Sequence, residues 1–329
     1  MRLTNIGEVV IITIAFTLAL LPPELSSADA AGGCIALGST YRVSEEEVRA
    51  CNETTHQICI YAALYGGYDS YHLYGEETTK TAVLDAAAGC VGDNCYTFTI
   101  VFYVGHGYRR PDDGHMYILD DDGENVWDHE IYEKTESRNV RFAFLWSCYQ
   151  GYEKGGWDEQ GRAYGMPLAW LHDINISENG YEKPDGKGYV FIGWRRAAPY
   201  LTWNNNEGKR FLQEFFYYAF KDGYKNGTYY HRSIHEALDE ASQKVWGVED
   251  FKDSPYNKGF CIGDESTRLR VYGDGNMTID LRFDYAPGPP PPPPPHPPPP
   301  VPYAFMSIGR IVPTAPQLQG SEEVSKIAV

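Results

Sequence analysis

The sequence predicts an α/β fold, a three-layer α/β/α sandwich with a mostly parallel sheet. Segments 97–107 and 140–151 each contain an unbroken apolar run rich in Val, Ile, Phe and Tyr. Such runs are typical of strands that are buried on both faces of a sheet. Amphipathic helical patterns occur before and after these runs, and a parallel sheet needs helices on both faces. The predicted core is therefore a sheet between two helical layers.

The first elements form a strand–helix–strand unit. Residues 57–64 predict the first strand, residues 76–88 predict a helix that Gly89 ends, and residues 97–104 predict the next strand. Consecutive parallel strands joined by a helix almost always cross over in the right-handed sense. We therefore expect a right-handed βαβ unit at the start of the sheet.

The remaining regular elements follow the same alternation. Residues 187–194 predict a further buried strand. Helical patterns are predicted at four places: residues 128–135, 166–172, 209–221 and 233–246. The last of these begins with Ser233 and Glu236, which have the spacing of a capping box. Its apolar residues then recur at helical spacing, so this helix is expected to cover the sheet.

Two hairpins are predicted outside the main strands. Residues 115–120 and 124–127 flank an Asp-Asp-Gly turn, and residues 268–283 alternate around two glycines. Acids at Asp120, Asp121 and Asp122 could bind calcium, and no other cofactor is expected. Their spacing lacks the alternation of an EF-hand loop, so a solvated turn is favoured.

The ends of the chain predict export. Residues 1–30 combine Arg2, a short apolar core and Ala28-Asp29-Ala30, as in a cleaved signal peptide; an uncleaved anchor is the alternative. Four Asn-x-Ser/Thr sequons agree with export: Asn52, Asn175, Asn226 and Asn276. The expected location is secreted or at the cell surface.

The chain divides by composition into several segments. They are a signal peptide at 1–30, an N-terminal extension at 31–56, the main domain at 57–250, a β-rich C-terminal extension at 251–286, a polyproline linker at 287–302 and a tail at 303–329. The linker predicts a polyproline II rod about 50 Å long. It could bind a cell-surface or matrix partner, act as a spacer, or be inert.

The charge of the chain excludes one class of partner. Its 28 basic and 45 acidic residues give a formal net charge of −17. Phosphate backbones would be repelled, so no nucleic-acid partner is expected.

No Cys/His pattern has the spacing of a zinc site, so no metal is expected.

Two reactive side chains stand at the ends of the two apolar runs. His106 follows the first run and Cys148 follows the second. In parallel sheets ligands bind outside the carboxyl ends of the strands, so both side chains are expected in one crevice. A thiolate nucleophile and its base require this arrangement.

This pair resembles the caspase-like cysteine peptidases, the clan of caspases, legumains, gingipains, clostripains and separase. The resemblance is carried by His106-Gly107 and Ser147-Cys148, each after an apolar block, and covers about residues 57–247. The pentapeptide Gln-Ala-Cys-x-Gly of caspases is absent, with Ser147-Cys148-Tyr149-Gln150-Gly151 in its place. The main domain at 57–250 is thus expected to be a caspase-like peptidase domain.

The resemblance implies roles for particular residues. Cys148 would attack a peptide carbonyl to form a thioester, and His106 would move the proton. The oxyanion hole would come from the backbone N–H groups of Gly107 and Cys148. By the same analogy Trp194, Arg195 and Arg196 would lie near the substrate, with packing and surface charge as the alternative.

A third residue that orients His106 is not fixed by the sequence. The candidates are Asp112, Asp113 and Glu53, and nothing in the sequence ranks them.

If Cys148 is the free nucleophile, six cysteines remain. Cys51 with Cys59 and Cys90 with Cys95 are close enough in sequence to pair, which leaves Cys34 with Cys261. Six cysteines allow about fifteen pairings, and some could be buried thiols, Cys59 above all.

The predicted function is an exported cysteine endopeptidase acting on peptide or protein substrates. The alternatives are a catalytically inactive binding module of the same fold and a transpeptidase or sorting enzyme of the same clan. A pairing of Cys148 with His172, as in papain-like enzymes, is disfavoured because the two lie so close in sequence.

Overall fold

The computed structural model describes residues 32–172, 188–225, 228–263 and 265–281. The predicted signal peptide, the polyproline linker, the tail, Asn175 and Asn226 lie outside these residues. Within the described ranges, no helix combines the length and the apolar character that crossing a membrane requires.

A six-stranded sheet forms the centre of the molecule. Its strands are β1 (Gly33–Gly38), β2 (Asp69–Tyr74), β3 (Thr99–Val104), β4 (Val140–Trp146), β5 (Val190–Trp194) and β6 (Leu269–Gly273). The strand order is β6-β5-β4-β3-β1-β2. Strands β1 to β5 run parallel to their neighbours, and β6 pairs antiparallel with β5 at one edge.

Seven α-helices accompany the sheet. They are α1 (Glu45–Tyr61), α2 (Lys80–Ala88), α3 (Asp128–Lys134), α4 (Met166–Leu171), α5 (Trp203–Phe220), α6 (Ile234–Trp246) and α7 (Pro255–Lys258) within the described residues. A π-helical turn, Ala62–Gly66, extends α1. Short 3-10 turns occupy Gly75–Glu77, Thr135–Ser137 and Phe251–Asp253.

Successive side chains of the buried strands point to opposite faces of the sheet, and each face has its own core. On β3, Phe102 packs against Phe216 of α5 on one face. Its neighbour Val101 belongs to the second core, with Ile131 of α3. Helices α1, α5 and α6 cover the first face, and α2, α3 and α4 cover the second. This arrangement confirms the predicted three-layer sandwich with a mostly parallel sheet.

Smaller strands surround the sheet. Gly107–Arg109, Met116–Leu119 and Asn125–Trp127 form a three-stranded antiparallel sheet that begins one residue after His106. Four two-stranded ladders are also described: Cys90–Val91 with Asn94–Cys95, Gly156–Trp157 with Ala163–Tyr164, Gly223–Lys225 with Thr228–Tyr230, and Phe260–Ile262 with Glu265–Thr267.

Several local predictions are confirmed, with their ends shifted by a few residues. They concern the helices at 76–88, 128–135, 166–172, 209–221 and 233–246, the strand at 187–194, and the hairpin around Asp121-Asp122-Gly123. Gly89 ends α2 as expected. Its φ of 82° is left-handed, and its N–H donates to the carbonyl of Ala86, a cap that glycine makes with little strain.

The predicted first strand at 57–64 is wrong. These residues are the last turns of α1 and the π turn that follows it. A short apolar run does not distinguish a strand from a buried helix segment. The buried residues of α1, such as Ala50, Thr54 and Ile58, recur at helical spacing and contain polar members.

The missed strand is β1, which lies between β2 and β3 in the sheet. It is short and glycine-bounded, and it falls in the 31–56 segment that we expected to be an extension. That segment therefore supplies a central strand and most of α1.

The hairpin predicted at 268–283 is also wrong. Among the described residues of this range, only Leu269–Gly273 is a strand, and it pairs with β5 as the edge of the main sheet. The hairpin of this region lies earlier, at Phe260–Ile262 and Glu265–Thr267. The alternation around Gly273 marks the end of a strand, where φ is 92°, rather than a turn between two strands.

The N-terminus of α6 carries the predicted capping box. Ser233 Oγ accepts from Glu236 N at 3.2 Å, and Glu236 Oε2 accepts from Ser233 N at 2.9 Å. We expect Ser233→Ala to lower the free energy of unfolding by about 1 kcal/mol, because N–H groups of the first turn lose their acceptor. Urea denaturation measures the loss. Ser266→Ala, at an exposed position, is the control, and an equal loss in both variants would contradict the cap's contribution.

Candidate active site

His106 and Cys148 follow adjacent parallel strands. The register pairs Val104 of β3 with Trp146 of β4, and each reactive residue comes two positions later. Gly105 N donates to the carbonyl of Trp146 at 3.4 Å, so the two strands are still linked where they end. The fold thus brings both residues to the carboxyl edge of the sheet, where ligands bind in such sheets.

Gly107 sets how closely the two loops approach. A Cβ placed on Gly107 would lie 2.6 Å from the carbonyl oxygen of Cys148 and 2.3 Å from Ser147 Oγ. Neither distance leaves room for a side chain. The segments that carry His106 and Cys148 therefore touch through their backbones, and only glycine permits this contact without displacement.

The imidazole of His106 is oriented by the chain that enters α1. Its backbone is fixed by Leu119 N, which donates to the His106 carbonyl at 3.0 Å. Burial lowers the pKa of His106, the Arg42 charge also lowers it, and hydrogen bonding with the backbone of Arg42 and of Tyr41 opposes them. His106 Nε2 is buried and has no hydrogen-bond partner among the described residues. This nitrogen is available to a thiol or a substrate.

Two of the three candidates for a third catalytic residue are paired with other groups. Asp113 accepts from His115 N and pairs with Arg110, Glu53 pairs with Lys209, and Asp112 is exposed. The hydrogen bonds that bear on the pKa of His106 come from the backbone of Tyr41 and of Arg42. Sequence reasoning missed them because a backbone carbonyl has no residue-type signal.

The thiol of Cys148 is held by the loop after β5. Ala198 N donates to Cys148 Sγ at 3.2 Å. Burial raises the pKa of the thiol, the Ala198 N–H opposes this, and the Glu265 carboxylate raises it further. Burial and the Glu265 charge outweigh the Ala198 N–H, so the pKa stays raised and the neutral thiol is favoured.

The turn after the nucleophile is strained and anchored. Tyr149 has a φ of 64°, which is rare for a bulky residue. Its N–H donates to the carbonyl of Arg196 at 2.7 Å, and its hydroxyl donates to the Glu265 carboxylate at 3.0 Å. Gln150, fully buried, donates from Nε2 to the carbonyl of Cys148 at 2.7 Å. These bonds keep Cys148 in one position relative to β5 and its loop.

Trp194 and Arg195, which the resemblance would place near the substrate, both have partners inside the protein. Trp194 has no exposed surface, and its ring packs in the core against Trp146 at 5.1 Å and Tyr256 at 4.9 Å. Arg195 Nε donates to Glu153 Oε2 at 2.9 Å in an ion pair. Trp194 therefore packs in the core, which was the alternative to a place near the substrate. Arg195 forms an ion pair within the protein.

Exposed tyrosines border the nucleophile instead. Tyr108 is 41% exposed and Tyr200 is 43% exposed, unusual for such large rings. Both interact electrostatically with Cys148, as does Tyr149.

Only one of the predicted disulfides forms. Cys90 and Cys95 are bonded across a short ladder. Cys51 and Cys59 are both free on α1, where eight residues of helical rise hold them about 12 Å apart, too far for a bond. Cys34 is buried in β1 and Cys261 is exposed on a hairpin, so they do not pair either.

The acids of the predicted calcium turn bind backbone and side-chain donors. Asp120 accepts from Lys80 N and Glu124 N, and Asp121 accepts from the Thr40 hydroxyl at 2.7 Å. In the described chain, two other groups have the composition to hold a metal ion: His115, Asp128 and His129, and Asp222, His231 and Asp280.

The first of these groups is a buried hydrogen-bond network. His115 Nδ1 lies 2.7 Å from Asp128 Oδ1, and its Nε2 lies 3.1 Å from Asp158 Oδ2. Asp128 Oδ2 accepts from Met116 N and Gly165 N, each at 2.7 Å. These bonds join the sheet after His106 to the loop after Cys148, and they explain the cluster as a structural one.

Comparisons with known proteins add a similarity of shape. Neither a family model nor a curated protein matches this chain. The chain is similar to the crystal structure of caspase-1 from Spodoptera frugiperda, with 13% identity and a TM-score of 0.40 over 74% of this chain and 86% of that chain. It is also similar to the Drosophila initiator caspase Dronc, with 10% identity and a TM-score of 0.38 over 77% and 83%. Scores this low carry no argument about activity, so the fold class stands on strand order and helical layers.

Proposed function

We propose that the protein is a cysteine endopeptidase whose nucleophile is Cys148 and whose base is His106. The observation that carries this proposal is the contact at Gly107. There the backbone after His106 lies against the backbone of Cys148, at the carboxyl ends of two adjacent parallel strands. The resemblance of His106-Gly107 and Ser147-Cys148 to the caspase-like peptidases supports the same pair. Peptides or proteins are the proposed substrates.

In the proposed reaction, Cys148 Sγ attacks the peptide carbonyl carbon and its proton passes to His106 Nε2. The N–H groups of Gly107 and Cys148 would stabilise the oxyanion of the tetrahedral intermediate. His106 then protonates the leaving amine as the C–N bond breaks, which leaves a thioester on Cys148. Neutral His106 next removes a proton from water, and hydrolysis of the thioester restores the thiol. The Ala198 N–H would stabilise the sulphur as it gains charge.

The expected pH dependence of hydrolysis and of alkylation follows from two opposed pKa shifts, a lowered pKa for His106 and a raised pKa for Cys148. His106 must be neutral to accept the proton, and burial holds its pKa below the ordinary 6.5. We therefore expect hydrolysis to persist at pH 6.5 and to be lost only as the pH falls through that lowered value. Burial holds the pKa of Cys148 above 9.0, so alkylation of this thiol should still increase above pH 9.

The test combines two pH profiles of the purified protein. A library of fluorogenic peptides reports hydrolysis, and mass mapping after iodoacetamide treatment reports alkylation of each cysteine. Two results would contradict a neutral Cys148 thiol beside a neutral His106 imidazole. One is a loss of hydrolysis that already begins above pH 6.5, and the other is alkylation of Cys148 that is complete by pH 8. A Cys148 that is accessible while no peptide is hydrolysed would favour the inactive binding module.

Export belongs to the same proposal. The Cys90–Cys95 bond is compatible with an oxidising compartment, and two of the sequon residues, Asn52 and Asn276, are exposed. A partner for the polyproline segment is proposed from composition alone.

A further inference from the structure

The loop from Arg195 to Thr202 lies over the nucleophile. Ala198 gives its N–H to Cys148 Sγ at 3.2 Å, and the carbonyl of Pro199 accepts from Trp146 Nε1 at 2.8 Å. The next residue, Tyr200, is exposed beside Cys148. The position of this loop therefore decides whether the sulphur has a hydrogen-bond donor.

A buried carboxylate holds the end of this loop. Glu47 of α1 is 3% exposed, and an acid that is buried this completely needs hydrogen-bond donors. Its Oε1 accepts from Leu201 N at 2.6 Å, and its Oε2 accepts from Thr202 N at 3.1 Å and from Thr202 Oγ1 at 2.9 Å. All three donors belong to the loop, more than 150 positions away along the chain.

The segment of the loop between the residues that Glu47 binds and Ala198 is short and has little freedom to move. Only Pro199 and Tyr200 separate Ala198 from Leu201, and the ring of proline fixes its own φ. The carbonyl of Leu201 also accepts from Lys209 N of α5 at 3.1 Å. A displacement of Leu201 would thus be transmitted to the Ala198 N–H.

We infer that Glu47 is a positioning residue, which fixes the loop at residues 197–202 so that the Ala198 N–H reaches the sulphur of Cys148. Its consequence for catalysis rests on the proposed function, whereas its effect on the thiol does not. The entry to α1 then acts on both members of the pair. Tyr41 and Arg42 orient His106, and Glu47 acts on Cys148 through the loop.

The inference predicts a change in thiol acidity when Glu47 is altered. Glu47→Gln has the same size but offers one acceptor oxygen in place of two, so it should release Leu201 or Thr202. Loss of the Ala198 N–H disfavours the thiolate, and we expect the pH midpoint of Cys148 alkylation to rise by about one unit. If the peptidase function holds, kcat should fall more than KM changes.

Two further variants complete the experiment. Glu46→Gln, at an exposed position of the same helical turn, is the matched control and should leave the midpoint unchanged. Thr202→Val removes only the hydroxyl bond to Glu47 and should give a smaller shift in the same direction. If near-UV circular dichroism shows that Glu47→Gln does not fold, the pH midpoint of Cys148 alkylation in Thr202→Val decides whether the inference holds.

The possible results separate the two proposals. A raised midpoint in the Glu47 and Thr202 variants supports the positioning role, even where no peptide is hydrolysed. Folded variants whose Cys148 midpoint equals that of the unaltered protein would overturn it, even where hydrolysis is found. A loss of stability without a midpoint shift would make Glu47 a structural residue only.

Discussion

Replacing Cys148 with alanine is expected to reduce peptide hydrolysis by at least about 1,000-fold, since no other group can form the thioester. The fold should be unaffected, because the variant removes a single sulphur from a residue that is partly exposed. Hydrolysis of a fluorogenic peptide and thermal unfolding are measured on the same preparation. Retention of the melting temperature with loss of activity is the expected result.

Cys261 supplies the control for this experiment. It is the one exposed free cysteine among the described residues, and it lies on the hairpin at Phe260–Ile262. Cys261→Ser should keep full activity and remove only the exposed thiol of the hairpin from the alkylation map. If the two variants lost activity equally, or if Cys148→Ala stayed active, the proposed nucleophile would be wrong.

Replacing Asp128 with alanine is expected to lower the free energy of unfolding by about 3–5 kcal/mol. The carboxylate is fully buried and accepts from His115, Met116 N, Gly165 N and His129 N. Its removal leaves these donors buried without an acceptor, and each such group costs free energy. Chemical denaturation at pH 7 measures the loss.

Asp122 offers a matched control, because it is an exposed acid of the neighbouring hairpin. Asp122→Ala should change the free energy of unfolding by no more than about 0.5 kcal/mol. A loss below about 1 kcal/mol in Asp128→Ala would mean that water replaces the missing acceptor, and the network would not be a stabilising one.

The same network predicts a stability maximum between two limits of pH. Burial raises the pKa of Asp128, but hydrogen bonds from His115, His129 and the two backbone groups outweigh it, so the pKa lies below 3.8. That contribution is lost as the pH falls through the lowered value. The hydrogen bond to Asp128 raises the pKa of His115 above 6.5, so its contribution is lost as the pH rises through the raised value. In His115→Phe, the free energy of unfolding measured by denaturation should not include the loss at alkaline pH that comes from His115.

Much of the fold could be predicted because its buried strands are unbroken apolar runs. Strands β3, β4 and β5 are such runs, and helices α5 and α6 carry a clear helical period. The same criterion failed at residues 57–64, where an apolar run ends a helix, and at β1, where only four apolar residues stand between two glycines. Local periodicity does not contain the long-range pairing that makes β1 a central strand.

The candidate site was predictable only where residue type carries the chemistry. His106, Gly107 and Cys148 could be selected because few residues serve as base, close-approach point and nucleophile. Glu47 and the backbone near Tyr41 act through hydrogen bonds that only the folded chain brings together. The burial of Trp194 against Trp146 is likewise a tertiary property that residue type does not reveal.

Under the proposed function, the close contact at Gly107 would separate selectivity from reactivity. The atoms packed against Gly107 are the Cys148 carbonyl, Ser147 Oγ and Gln150 Nε2, and none of them belongs to the exposed tyrosines. Tyr108 and Tyr200 could then be exchanged for other residues, as a library, to retune which peptides are accepted while the chemical step stays intact.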